Sequence, residues 1–203
     1  VRLQDYDLHV LRARYGALFQ DFVQYQATVH ENIGYGDIAR QADRHAIEAA
    51  AQRAGASGLI GELPHSYDTL LGQMFDGARE LSKGQWQLMA LARALFHEAP
   101  IVILDEPTAA LSPSKEQEVF AALRASLRAD QIDIIVSHRF STVRLADDII
   151  VIEGATIREQ DSHEELIKLG GTYARLYTIQ ARAYADKTPD RPDVADGAEN
   201  LAT

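Results

Sequence analysis

The stretch Ile101–Ser112 reads IVILDEPTAALS: four aliphatic residues, then Asp105 and Glu106, then a proline. In an open parallel sheet, ligands bind outside the carboxyl ends of the strands. A buried strand ending in two carboxylates therefore puts ionisable groups at a binding rim. A second aliphatic run, Ile134–Val136, is followed by Ser137 and His138. An acid that holds a metal ion, an acid that activates water and a neutral imidazole near a transferred phosphate are the parts phosphoryl transfer needs. Acids after strands often only cap the next turn, and a lone histidine is more often structural. Three such groups at one rim of one sheet favour a shared site.

The elements that must position these groups follow from periodicity. Short aliphatic runs predict strands at Ile101–Leu104, Ile134–Val136 and Ile149–Ile152. EGATI after the third predicts a turn into a further short strand, a hairpin. Leu88, Leu91 and Leu95 recur at helical spacing before Pro100, and Phe120, Leu123 and Leu127 do the same after Ser112. Ser162 with Glu165 predicts a capping box opening HEELIKL. Alternating strands and helices argue for an α/β layer fold with a mainly parallel sheet. Residues 35–96 contain helical patterns such as RHAIEAAAQRAG and no convincing strand, which predicts a helical subdomain. From about Asp186, prolines, acids and small residues without apolar periodicity predict a disordered tail over 186–203.

Composition narrows the functional classes. A chain of 203 residues is enough for one substantial domain or one and a half small ones, and 46% hydrophobic content supports a globular core. A formal net charge of -10 disfavours nucleic acid as the main partner. The absence of cysteine rules out disulfides, thiolate catalysis and Cys-ligated zinc, and fits a cytosolic setting. No apolar run approaches the roughly 20 residues of a membrane span, and the N-terminus does not read as a signal peptide. The first residue is Val1 rather than methionine, which suggests a fragment.

One block is specific. ELSKGQWQLMALARALFHEAPIVILDEPTAAL resembles the signature-to-Walker-B block of ABC ATPases, the nucleotide-binding domains of ABC transporters. The family's LSGGQ loop opens a helix and is represented here by Leu81, Ser82, Lys83, Gly84 and Gln85. A glycine lets backbone N–H groups approach phosphate, a serine donates a hydrogen bond, and the positive helix end favours an anion. Alone, Ser82 would read as an ordinary N-cap. The resemblance implies that this loop clamps the γ-phosphate of ATP held by the opposite subunit of a head-to-tail dimer. Asp105 then matches the Walker B metal contact, Glu106 the catalytic base and His138 the switch histidine contacting γ-phosphate. YGALFQDF resembles the Q-loop, which makes Gln20 a contact to Mg²⁺ and water and a relay to the membrane domain. HENIGYG, LPHSYDTLLG and SHEELIKLGGTYARLY resemble exporter-type members.

The resemblance implies a P-loop NTPase fold (RecA-like, with an inserted helical subdomain) that is incomplete at its N-terminus. Residues 1–34 would be a partial ATPase core with the Q-loop, 35–96 the helical subdomain ending in the signature helix, and 97–185 the core with Walker B, D-loop and switch histidine. It further implies ATP and Mg²⁺ as ligands, a second nucleotide-binding domain and a transmembrane domain as partners, and a place at the cytoplasmic face of the cell membrane. The intervening subdomain predicts that the signature helix stays away from its own strand-end rim.

Departures from the pattern also matter. No GxxxxGK[ST] phosphate loop occurs in the chain, so the 203 residues alone are expected to hydrolyse ATP negligibly. Lys83 replaces a glycine, adding positive charge beside an anion while restricting the backbone. Ser112, where the D-loop usually has aspartate, can still cap a helix, with Pro113 at the first helical position. Gln73 takes the place of a glutamate in the exporter pattern. Two alternatives remain: a soluble ABC ATPase of DNA repair or translation, and a non-hydrolysing half that only donates its signature loop. The exporter-like segments and acidic charge oppose the first, and intact Glu106 and His138 oppose the second.

Overall fold

In the computed structural model, residues 2–185 are described; the tail predicted over 186–203 lies outside them. The chain divides between His138 and Arg139 into two compact units. The first is built on a parallel sheet of β1 (Tyr15–Leu18), β2 (Ile101–Asp105) and β3 (Ile132–Val136), with β2 central. The register aligns Leu18 with Leu104 and Asp105 with Val136, so the three carboxyl ends share one edge. β2 and β3 contain the two predicted strands. β1 escaped prediction, because YGAL is four residues long and contains a glycine. Packing explains that glycine: a Cβ on Gly16 would stand 2.7 Å from the carbonyl oxygen of Ala94.

The helices of this unit are α1 (Leu8–Arg12), α2 (Val29–Gly34), α3 (Arg44–Arg53), α4 (Ser57–Gly61), α5 (Lys83–Phe96) and α6 (Pro113–Ala125). α5 is the core helix. From Trp86 to Phe96 every residue except Arg93 is buried, against α2, α3 and β1. A helix apolar on all sides is stable only in such a position, and each large side chain buried there contributes roughly 1.5–3 kcal/mol. Leu88, Leu91 and Leu95, which recur at helical spacing in the sequence, lie in this core. Between α2 and α5, among the described residues, pairing amounts to isolated bridges, Thr28 with Leu70 and Leu71 with Arg79. Ser112 caps α6 by accepting from Lys115 N–H, and Pro113 holds the first helical position. The predicted apolar repeat overruns that helix. Ser126 Oγ donates to the carbonyls of Ala122 and Leu123 and closes the last turn, leaving Leu127 exposed.

The second unit contains α7 (Phe140–Val143), β4 (Ile149–Glu153), β5 (Thr156–Asp161), α8 (His163–Leu169) and α9 (Thr172–Ala185). β4 and β5 form the predicted hairpin as an antiparallel sheet of their own, so the third aliphatic run does not extend the parallel ladder. Gly154 and Ala155 both have positive φ, +57° and +59°, matching the right-handed twist of the strands. Ile149, Leu166 and Tyr173 form its small core. The capping box predicted at Ser162 is only half present. Ser162 Oγ accepts from Glu165 N–H, but Ser162 N–H donates to Asp161, and Glu165 pairs with Lys168. Among the described residues no helix is long and apolar enough to cross a membrane.

Candidate functional site

The strand ends bring two of the predicted residues into contact. Glu106 directly follows β2, and its N–H donates to Val136 O at 2.9 Å, continuing the ladder by one bond. Its φ is then +49°, a left-handed conformation that costs an L-residue about 1–2 kcal/mol. The side chain turns toward the segment after β3. Oε1 accepts from the His138 N–H at 3.0 Å and lies 2.6 Å from His138 Nδ1. An ionised carboxylate only accepts, so Nδ1 carries the donated proton in this pair. The Glu106 side chain is 14% exposed and that of His138 72%, so the acid is sheltered and the imidazole lies at the surface. Asp105 is the last residue of β2, and exposed Gln20 sits two residues beyond β1 at the same edge.

The signature residues open α5. Ser82 is its N-cap: Oγ accepts from Gln85 N–H at 3.3 Å, and Gln85 Oε1 accepts from Ser82 N–H at 2.9 Å. The structural and ligand-binding readings are therefore compatible, since a hydroxyl that accepts one bond retains its own hydrogen to donate. Lys83 is the first helical residue and has no positive φ, so its side chain carries no backbone cost there. Gly84 is different. A Cβ on it would stand 2.6 Å from Ala110 O and 3.2 Å from Leu111 Cδ2. Ser82, Gly84, Gln85, Ala110, Ser112 and Lys115 line part of a groove of about 330 Å³ at this positive helix end.

The helix does not stay clear of its own strand-end loop, contrary to the sequence expectation. Gln87, in the second turn of α5, donates from Nε2 to Glu106 O at 2.7 Å, and its Oε1 accepts from Ala110 N–H at 3.0 Å. The chain separation of signature and Walker B blocks hid this closeness. Gln87 was not singled out from sequence, although a glutamine one turn before Leu91, between Trp86 and the apolar run Leu88–Ala92, was the available signal. Arg93 was also missed. It donates to Asn32 O, Asn32 Oδ1 and Val23 O, and its guanidinium stacks 4.5 Å from the Tyr25 ring centroid. Burial pushes its pKa down, yet a guanidinium remains charged at neutral pH. It thereby ties the segment following Gln20 to α2 and α5.

The sequence pattern of the family described as "ABC transporter" matches residues 1–109, more than half of the chain. The chain belongs to the ABC transporter family. An ATP-dependent lipid A-core flippase of Aromatoleum aromaticum is 41% identical over 197 residues, covering 97% of this chain and 31% of the flippase. The subtilin transport ATP-binding protein SpaT of Bacillus subtilis is 40% identical over 176 residues, 87% of this chain and 28% of that protein. A solved bacterial Atm1-family ABC exporter with ATP bound superposes with a TM-score of 0.76 at 34% identity, covering 94% of this chain and 30% of that one. The ABC transporter segment thus spans about three tenths of these relatives, and its α/β architecture is the expected P-loop NTPase fold.

The donor set of this ABC segment fits magnesium only together with a nucleotide. Among the described residues no group of three or more His, Cys, Asp or Glu side chains is placed to hold a metal ion. Magnesium is ordinarily held by one or two carboxylates together with substrate phosphates and water. Asp105 can supply such a carboxylate.

Proposed function

We propose that this chain is part of the ATP-hydrolysing domain of an ABC exporter, with MgATP as the substrate and transmembrane export as the coupled work. The observation that carries the reading is Glu106: a sheltered carboxylate at the carboxyl edge of a parallel sheet, fixed by β3, by α5 and by His138. In this role Glu106 takes a proton from the attacking water. Asp105 contacts the magnesium of the substrate, with Gln20 at the same edge orienting metal and water. His138 holds Glu106 and contacts the transferred phosphate. Residues 35–96 act as a helical subdomain between the core segments 1–34 and 97–185.

Ser82, Gly84 and Gln85, with Lys83 adding positive charge, clamp the nucleotide of a second nucleotide-binding domain arranged head-to-tail. Ser112 lines the same groove. Exposed aliphatic side chains on β3, Ile132, Ile134 and Val136 among them, support a larger assembly, since parallel strands are ordinarily covered on both faces. Such an assembly works at the cytoplasmic face of the membrane, through a transmembrane domain. The test is Glu106→Gln in the full-length transporter. Turnover should fall by roughly 10²–10⁴-fold while ATP binding persists, because removing a negative charge does not harm an anion site. An unchanged hydrolysis rate would refute the assignment.

A further inference from the structure

Gln87 is 4% exposed, on a helix whose neighbours Leu88–Ala92 are buried and apolar. A primary amide in such surroundings is costly unless both of its ends are hydrogen-bonded. Both are. The nitrogen meets the carbonyl of Glu106 and the oxygen meets the N–H of Ala110, so one side chain spans the turn that follows β2. Within that turn Ala109 N–H also reaches Glu106 O, at 3.2 Å. Glu106 keeps its left-handed backbone only because its surroundings over-determine it. One restraint on its backbone comes from β3 through Val136 and another from α5 through Gln87.

The helix that carries Gln87 starts at the Ser82 cap, five residues and about 7.5 Å earlier along the axis. Coupling between sites is carried by rigid secondary elements, so a displacement of the capped end has a route to Gln87. We propose that Gln87 is a positioning residue that ties the orientation of Glu106 and the turn after it to the position of the signature helix. The state of the clamp on a neighbour's nucleotide is thereby transmitted to this chain's own base through one buried amide. This inference rests on the reading of Glu106 as the base.

The experiment uses the full-length transporter with Gln87→Glu, Gln87→Met and Glu106→Gln. Gln87→Glu keeps the acceptor for Ala110 N–H but loses the donor to Glu106 O, and a proton on the buried carboxyl restores that donor. Both Gln87 variants should lose about 10- to 100-fold in kcat, the range for groups that orient a reactive one, with the KM for ATP nearly unchanged. Burial raises a carboxyl pKa, so the Gln87→Glu rate relative to wild type should climb from about pH 8 to pH 6. The Gln87→Met ratio should stay flat. Wild-type kcat in both variants overturns the proposal. So does a loss of kcat that merely follows the folded fraction in thermal melts, with no pH-dependent recovery. If Glu106→Gln is inactive while the Gln87 variants run at full rate, only this inference fails. If Glu106→Gln turns over normally, the base assignment fails with it.

Discussion

His138 donates to Glu106 twice, from its backbone N–H and from ring Nδ1, and both bonds fall on Oε1. The pair holds the carboxylate through Oε1, and in the proposed role of Glu106 that leaves Oε2 to receive a proton from water. A base held in this way depends on its holder. His138→Ala removes the ring bond and keeps the backbone one. Turnover by the full-length transporter should drop about 10- to 100-fold, with nucleotide affinity largely retained. ATP hydrolysis beside equilibrium nucleotide binding checks this, and a wild-type rate would show that the contact does not orient the base.

Positions 83 and 84 should behave oppositely, although both correspond to glycines in the family pattern. Lys83 sits at the helix start in ordinary helical geometry, so Lys83→Gly should cost at most about 1 kcal/mol of stability. Gly84→Ala drives a methyl into Ala110 O, a backbone atom that cannot rotate away. It should displace the 110–112 segment and cut turnover at least about tenfold, as small misplacements near reacting groups do. Thermal melts with steady-state ATP hydrolysis distinguish the two, and equal tolerance of both changes would contradict the close approach of Ala110 to Gly84.

Much of this site was legible in the sequence because it depends on local features. An aliphatic run ending in two acids marks β2, and a serine followed three residues later by glutamine marks the cap of α5. What escaped depends on contacts between distant segments. β1 is short, and its Gly16 is explained by Ala94, far along the chain. The bonds of Gln87 cross 19 and 23 residues, and those of Arg93 reach back 61 and 70. Composition rewards an apolar helix and treats a lone Gln or Arg within it as noise. The groups that those residues bind come within reach only when the helix is packed.

The second unit should show its own acid sensitivity. Glu159 accepts from the N–H groups of Thr172 and Tyr173 at the start of α9, and these bonds, Tyr173 first, hold its pKa below the usual glutamate range. A depressed pKa means that the folded state binds its proton less readily than the unfolded chain. The stabilisation is therefore present above the ordinary glutamate pKa and lost as pH falls through the depressed folded value. Glu159→Gln keeps an acceptor but cannot titrate. At neutral pH it should melt below wild type, and the gap should close in acid. A gap independent of pH would assign the loss to packing rather than to charge.

The proposed head-to-tail arrangement makes a prediction that only a mixed dimer can test. Ser82 and Gly84 stand at the open end of α5, where the groove with Ala110 and Ser112 leaves the first turn accessible, while the next turn is fastened through Gln87 to its own chain. In the proposed dimer, a bulky group at Ser82 would stand at this accessible end, where the facing subunit's nucleotide is to be clamped. With Ser82→Arg on one subunit only, the intruding side chain should block closure over the nucleotide bound by the unmutated subunit. Site-resolved nucleotide trapping or cross-linking should then show that unmutated subunit's site failing to occlude ATP, with the site on the mutated subunit occluding as before. If the lesion maps instead to the mutated subunit's own Asp105–Glu106 edge, the signature loop acts on its own chain and the head-to-tail assignment is wrong.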